Sequence, residues 1–266
     1  MNIKVVTFNL RCFNPLVPTM DGKNRFPNRL PLIQKKIKKQ TPDLICFQEV
    51  LPNQKNKIDF NLPNYELLGC PRGERLNKSE ESVLIAVKRN VFYILGVDTF
   101  WLSPTPRVPG SRFSEDQSNC PRTCVVATLQ HKKSGKIFRV YGTHTDHVGS
   151  IARQKGTEVI LNRINEDNSF ERLPFIVLGD LNASPNAREI EMLREFGMFD
   201  ATEKSGYTFH DYKKPSEKID YIFASPHFTA DMLNVWTDER KGVYLSDHYP
   251  VEVTLSIGEK QQGKTE

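Results

Sequence analysis

The chain has 266 residues, 38% of them hydrophobic and 26% charged, with a formal net charge of +5. That composition suits a soluble protein with a sizeable core, and the mild positive charge permits an anionic substrate without requiring a nucleic acid. No stretch approaches the ~20 apolar residues of a membrane span, and no basic segment leads into an apolar signal core, so a membrane or secreted protein is not expected.

The first apolar run, from Ile3 to Phe8, reads as a buried strand ending at Asn9. A polar, proline-broken loop from about Asn14 to Pro27 follows, then a helix with Leu30, Ile33 and Ile37 at helical spacing and Asn28 as its cap. The lysines at 35, 36, 38 and 39 are assigned to the solvated face of that helix, not to a nucleic-acid patch. A second strand, from Leu44, ends at Gln48-Glu49. Further strands are expected near Tyr65–Leu68, Val83–Val87, Val91–Leu102 and Thr123–Gln130, with Lys88-Arg89-Asn90 as a hairpin turn between two of them.

Between Trp101 and Arg122 lies an aperiodic stretch of about 20 residues rich in Pro, Gly and Ser, and loops of that length are usually functional or disordered. Its Arg107, Arg112 and Arg122 suggest a rim around an anionic ligand, the alternative being a solvated surface loop. The run from Phe138 ends at His144, with Asp146 and His147 just beyond. A helix is expected from Ser150 to about Asn165, a strand ending at Asp180 with Asn182 two residues on, and a helix from about Asn186 to Phe196. Strands near Ile219–Ala224, Met232–Trp236 and Tyr249–Ile257 close the domain. Asp220 opens the first of these, and Asp247-His248 precede the last. With no composition break, residues 1–257 are expected to form one domain and 258–266 a disordered polar tail. The five cysteines are scattered and odd in number, with no C-x-x-C pair, so free thiols and a cytoplasmic location are expected.

Each polar strand end has a bland reading when taken alone. Glu49 can be a solvated strand end, Asn9 and Gly179-Asp180-Leu181-Asn182 plain turns, and His248 a structural histidine. Neighbouring antiparallel strands, however, put the end of one beside the start of the next. One sheet edge can therefore collect Asn9, Glu49, His144, Asp180, Asn182, Asp220, Asp247 and His248, groups suited to a hard cation and a phosphate ester. Adjacent strand residues face opposite ways, so Asp247 need not be the partner of His248, and a more distant aspartate such as Asp220 can orient the ring.

The motifs Thr7-Phe8-Asn9, Gln48-Glu49-Val50, Gly142-Thr143-His144-Thr145-Asp146-His147, Gly179-Asp180-Leu181-Asn182, Asp220-Tyr221-Ile222 and Ser246-Asp247-His248 occur in the order seen in the endonuclease/exonuclease/phosphatase superfamily. The chain resembles that superfamily from about Asn2 to Leu255, and its stretch from Phe100 to Arg122 resembles a bacterial branch of it. The resemblance implies a four-layer α/β sandwich, two mainly antiparallel β-sheets packed face to face and flanked by helices. It implies a divalent metal, Mg²⁺ or else Mn²⁺, bound by Glu49 with Asn9 close by and Asp247 bridging to a second or water-mediated site. Asp180 would orient or deprotonate the attacking water, and Asn182 would hold a phosphate oxygen. His248, oriented by Asp220, would stabilise the transition state, with His144 on the opposite side of the phosphate and Arg122 clamping it. Asp146 and His147 match a variant of only some branches, and Thr145 stands where many members carry leucine.

The implied activity is metal-dependent hydrolysis of a phosphate ester by a monomer, with a phosphodiesterase or nuclease as the first expectation. The substrate is left open between a nucleic acid, a phospholipid head group and a small phosphorylated metabolite. Two other classes compete. A non-catalytic binding module on this fold would have lost metal or water-activating residues, which here all stand in place. A glycoside hydrolase using Glu49 and Asp180 as paired carboxylates would leave Asn9, Asn182 and the two histidines without roles.

Overall fold

The computed structural model describes residues 1–13, 21–74 and 80–258. In chain order the strands are β1 (Asn2–Asn9), β2 (Leu44–Val50), β3 (Tyr65–Leu68), β4 (Ser82–Lys88), β5 (Phe92–Trp101), β6 (Thr123–His131) and β7 (Ile137–His144). They continue with β8 (Phe175–Asp180), β9 (Phe199–Asp200), β10 (Asp220–Ala224), β11 (Phe228–Val235), β12 (Glu239–Arg240), β13 (Val243–Tyr244) and β14 (Val251–Ile257). The helices are α1 (Phe26–Gln40), α2 (Pro52–Asn61), α3 (Ser150–Phe170) and α4 (Arg188–Glu195).

Strands buried on both faces read as nearly continuous apolar runs, and the runs here behave that way. One six-stranded sheet has the order β11-β14-β1-β2-β4-β3 and the other β5-β6-β7-β8-β10-β9; β12 and β13 form a small ribbon. Along β1, Val5 faces the second sheet while Val6 and Phe8 face outward onto helices. The inner layer joins Ile3, Val5, Leu44, Cys46 and Ile85 of the first sheet to Val125, Val140, Ile176, Leu178 and Ile222 of the second. Outside the first sheet lie Phe26, Ile33 and Ile37 of α1 and Ile58 of α2. Outside the second lie Ile160 and Ile164 of α3 and Ile190 and Leu193 of α4. The result is the expected sandwich, helices, sheet, sheet, helices, with the sheets mainly antiparallel. One pair in each is parallel: β1–β2 in the first and β7–β8 in the second.

Several expectations shift. The helix expected to be capped at Asn28 begins at Phe26, because Pro27 fits the first turn, where its missing N–H has no partner to lose. It ends on Thr41, whose φ of 48° is a left-handed helix stop. Lys36 of that helix lies over Trp236 and pairs with Asp238, and the other three lysines are exposed or lack buried partners, as a solvated face requires. α2 was not anticipated; its signals are Pro52 in the first turn and the Gln54 side chain accepting from the Leu51 N–H at 3.2 Å. Lys88-Arg89-Asn90 is no hairpin, since β4 and β5 belong to different sheets and the turn carries the chain from one to the other. α3 runs on to Phe170, and β11 starts earlier than Met232, at Phe228. The stretch from 102 to 122 has no regular structure. The expected tail after Gly258 and residues 14–20 of the first loop lie outside the described residues. All five cysteines are free, and no described helix is long and apolar enough to cross a membrane.

Candidate active site

Parallel neighbours finish at the same end of a sheet. Asn9 therefore ends beside Gln48 on β1 and β2, and His144 beside Asp180 on β7 and β8. β10 runs antiparallel to β8, so its first residue, Asp220, lies opposite Asp180. Antiparallel neighbours alone do not build this edge; the two parallel pairs carry half of the convergence. Three local devices sharpen it. At Gly179 (φ 150°) a Cβ would lie 1.8 Å from the Thr143 carbonyl oxygen, so only glycine lets β8 close on β7 there. Glu49 has φ 58° where the β2–β4 register slips, a left-handed residue in a bulge that turns its carboxylate toward the cleft. Such a conformation costs a non-glycine residue about 1–3 kcal/mol, and functional sites are where it persists. Finally, the fully buried Arg29 of α1 donates to the carbonyls of Asn24 (2.6 Å), Leu10 (2.8 Å), Leu245 (2.9 Å) and Arg11 (3.2 Å). It fastens the segment after β1 to the segment that carries Asp247 and His248.

Asn9 is the bracket of the site. Its side-chain N–H₂ donates to Glu49 Oε1 at 3.0 Å and to Asp180 Oδ2 at 2.9 Å, while its Oδ1 accepts the Arg11 N–H at 2.9 Å. The second Glu49 oxygen accepts the Cys12 N–H at 3.0 Å. Asp180 Oδ1 accepts the Asn182 N–H at 3.0 Å, a contact that the left-handed φ of 46° at Asn182 makes possible. The Asn182 side-chain amide donates to the Thr145 carbonyl at 3.1 Å. His144 Nε2 and His248 Nε2 lie 3.6 and 3.8 Å from Asp180 Oδ2. His248 Nδ1 lies 2.9 Å from Asp220 Oδ2, and Phe209 packs on the ring with centroids 4.9 Å apart. Asp220, not the adjacent Asp247, thus orients His248. Asp247 faces Arg11 at 3.5 Å instead.

The charges are divided. Burial opposes ionisation of Glu49, but the Cys12 N–H, the Asn9 amide and the His248 cation hold its carboxyl below the ordinary range. Burial, with Asp220 beside it, pushes Asp180 up to about 7 against the pull of His248 and Asn9. Burial disfavours the His248 cation, yet Asp220 and Asp180 raise it to about 10. His144 is driven well below the usual histidine range by burial and by Arg122, so it is neutral. Asp247 is raised, chiefly by burial, with Glu49 acting in the same direction.

The donor set for a cation is oxygen-rich and hard: the Glu49 and Asp247 carboxylates line one cleft, and each raises the cost of the other's charge. That fits a divalent metal. Asp180, Asp220 and His248 also place ligand-type atoms within 4.8 Å of one another. His248, however, holds its proton and gives Nδ1 to Asp220, which makes that trio an oriented imidazolium and not a ligand set. Asn9 turns its N–H₂, not its oxygen, toward the carboxylates, so here it positions Glu49 and Asp180.

The surrounding cleft, of about 420 Å³, includes Arg11, Arg72, Glu81, Arg122, His147 and Phe209. Of these the sequence assigns Arg122 a role at this place and marks His147 within a motif without giving it one. Arg72, Arg11 and Glu81 carry no strand-end signal; their approach depends on loop paths that only the structure gives. Arg122 is buried, with Nε 3.4 Å from Asp146 Oδ2 and its terminal nitrogen 2.7 Å from His147 Nδ1. Asp146 also accepts the N–H groups of Gly149 (2.8 Å), Val148 (3.0 Å) and Ser118 (3.1 Å), as well as the Ser118 hydroxyl. These donors overcome burial and hold its carboxyl well below the usual range. Asp146 is thus the knot that ties the end of the long loop to the site. The rim expected of Arg107 and Arg112 is not formed. Arg107 pairs with Asp98 at 2.7 Å and lines a separate cleft along α3, and the exposed Arg112 does not line the cleft around Glu49 and Asp180.

A model of the endonuclease/exonuclease/phosphatase family matches residues 6–248. Among solved structures, an endonuclease/exonuclease/phosphatase from Bacteroides vulgatus is 30% identical, with a TM-score of 0.87, covering 97% of this chain and all of that one. A mannosyl-6-phosphatase from Bacteroides thetaiotaomicron is 26% identical, with a TM-score of 0.86, covering 96% of this chain and 100% of that one. A mimivirus protein, L388, is 26% identical over 179 residues, 65% of this chain; the chain spans only 65% of that relative's length.

Proposed function

This chain belongs to the endonuclease/exonuclease/phosphatase family, whose members are phosphoesterases, and from that premise we propose that it is a divalent-metal-dependent hydrolase of a phosphate ester on a small polar substrate. One observation carries the reading. Asp180, with its carboxyl poised near 7, sits within 4 Å of a neutral and a cationic histidine and shares Asn9 with an ionised Glu49.

In this reading Glu49 and Asp247 hold the cation, Mg²⁺ or Mn²⁺. The chemistry such an ion supplies when bound is charge neutralisation and polarisation of the phosphoryl group. Asp180 accepts a proton from the attacking water, a task suited to a carboxylate whose proton affinity is near the operating pH. His248, kept protonated and aimed by Asp220, donates to a phosphoryl oxygen as negative charge develops there; neutral His144 offers a second donor. Each such donor is worth roughly 2.7–4 kcal/mol on the oxyanion-hole scale. Asn182 keeps one amide hydrogen for the phosphate and uses the other on Thr145. Arg122, braced by Asp146, supplies positive charge at the far wall. A binding module would have no use for this division of protons, and a glycoside hydrolase would leave the imidazolium and the arginines without a partner.

A small substrate is favoured by the cleft's size, within the roughly 300–1,000 Å³ of small-molecule sites. Among the described residues of its lining, Phe209 is the one large aromatic ring and is taken up by His248, so these residues offer no stacking platform for a single strand. The likeness to a mannosyl-6-phosphatase points the same way. Purified protein with Mg²⁺ or Mn²⁺, screened against sugar phosphates, nucleotides, phosphoinositides, oligonucleotides and plasmid DNA, tests the reading. Turnover of a small phosphate ester that chelator abolishes is expected. Metal-independent turnover, or cleavage confined to polynucleotides, would contradict it.

A further inference from the structure

Arg72 belongs to no strand, and no motif marks it, yet it lines the cleft wall beside Arg122 and His144. Its backbone is fixed on both sides. The N–H donates to the Glu81 carbonyl at 3.0 Å, and the carbonyl accepts the Trp101 indole N–H at 2.6 Å. The preceding residue, Pro71, bridges Ser82 as an extension of the sheet. The guanidinium is pinned by Glu81 at 2.9 Å and its side chain is 13% exposed. Its Nε is buried and meets no acceptor among the described residues. That nitrogen is covered, but Arg72 lines the cleft, so the guanidinium N–H groups not engaged by Glu81 are what a ligand oxygen meets. Arg122 is braced in the same manner from the other side, by Asp146 and His147.

We propose that Arg72 and Arg122 together read the terminal oxygens of a phosphate monoester, so that the preferred substrate is a small phosphomonoester and Arg72 is the residue that discriminates against diesters. The inference rests on the phosphoester-hydrolase reading above. A monoester carries close to two negative charges at neutral pH and three acceptor oxygens; a diester replaces one of those oxygens with an ester substituent and carries one charge. A guanidinium fork matches phosphate oxygens in pairs, and two forks on one wall suit the more highly charged group. A diester would turn its ester carbon toward Arg72 and leave one guanidinium donor without an oxygen acceptor. Glu81 acts as the counter-ion that keeps Arg72 in place between turnovers.

The test compares p-nitrophenyl phosphate with methyl p-nitrophenyl phosphate in the presence of Mn²⁺, using wild type, Arg72→Gln and Arg72→Lys. Wild type should prefer the monoester. In Arg72→Gln the ratio of monoester to diester kcat/KM should fall roughly 10–100-fold, the scale of one lost charge-assisted hydrogen bond. Arg72→Lys should lie between, keeping the charge and losing the fork. Calorimetric affinity for orthophosphate should weaken by a similar factor in Arg72→Gln. If thermal melts show that Arg72→Gln does not fold, Arg72→Lys carries both comparisons. A wild-type preference for the diester, equal losses on the two esters, or unchanged orthophosphate affinity would overturn the proposal. If wild type cleaves neither ester with Mg²⁺ or Mn²⁺, the hydrolase reading itself fails, and orthophosphate affinity still decides whether Arg72 binds a phosphate dianion.

Discussion

The two walls of the cleft come from different sheets and hold their protons differently. The first sheet brings Asn9 and Glu49, and Glu49 is held below the ordinary range, a fixed negative charge. The second brings His144, Asp180 and Asp220, where Asp180 is pushed up to about 7 and its neighbour His248 to about 10. Both walls are buried carboxylate sites. Each accepts two hydrogen bonds, Glu49 from Asn9 and Cys12 and Asp180 from Asn9 and Asn182, so what separates them is the neighbouring charge: Asp180 faces the Asp220 carboxylate. On the proposed reading, the same residue chemistry would serve as cation anchor on one side and proton acceptor on the other.

Substitutions that break one wall at a time should therefore fail in different ways. Glu49→Gln should have the largest effect, loss of turnover beyond detection, through the cation; excess Mn²⁺ should recover part of it. Asp180→Asn should lower kcat by ~10²–10⁴-fold with KM little changed, because an amide cannot take the water's proton. Steady-state kinetics at saturating metal check both, and a KM effect alone in Asp180→Asn would contradict the assignment. His248→Ala should cost ~10²–10³-fold in kcat. Asp220→Asn should cost less, roughly tenfold, since the ring remains but loses its orienting charge, and the basic limb of the pH–rate profile should move to lower pH.

Asp146→Asn sharpens the comparison from outside the walls. Asp146 is held below its ordinary 3.8. A depressed carboxyl contributes stability that is complete above the unfolded value and is lost as pH falls through it toward the folded one. The variant should therefore be less stable than wild type at pH 7, with the gap closing below about pH 4; equal Tm at pH 7 would refute the knot. The smallest effect is expected for Arg107→Ala with Arg112→Ala, where KM should stay within about twofold because neither side chain reaches the cleft. A several-fold rise would restore these arginines to the site.

The strand ends were legible because burial on both faces makes each strand an apolar run, so the polar residue that stops it stands out. Asn9, Glu49, His144 and Asp180 stand out in that way, and the two-sheet architecture is implied by the family resemblance that their motifs carry. Residues that reach the site from loops left no such signal. Arg72 depends on a bridge between Pro71 and Ser82, and Arg107 stays open between rim and solvated surface in the sequence because loop composition does not say which way a loop folds. α2 escaped because its apolar residues show no helical stripe, only Gln54 and Ile58 being buried. The turn at Lys88 was misread as a hairpin because a change of sheet and a hairpin need the same polar residues.

The most direct test of the division is Mn²⁺ calorimetry on wild type, Glu49→Gln and Asp180→Asn, run beside turnover of the same samples. Glu49→Gln is predicted to lose metal affinity by more than the roughly 10–100-fold typical of losing a partner that only supports a ligand. Asp180→Asn is predicted to bind Mn²⁺ as wild type does while its turnover collapses. Wild-type metal affinity in Glu49→Gln, or equal loss of affinity in both variants, would contradict the division.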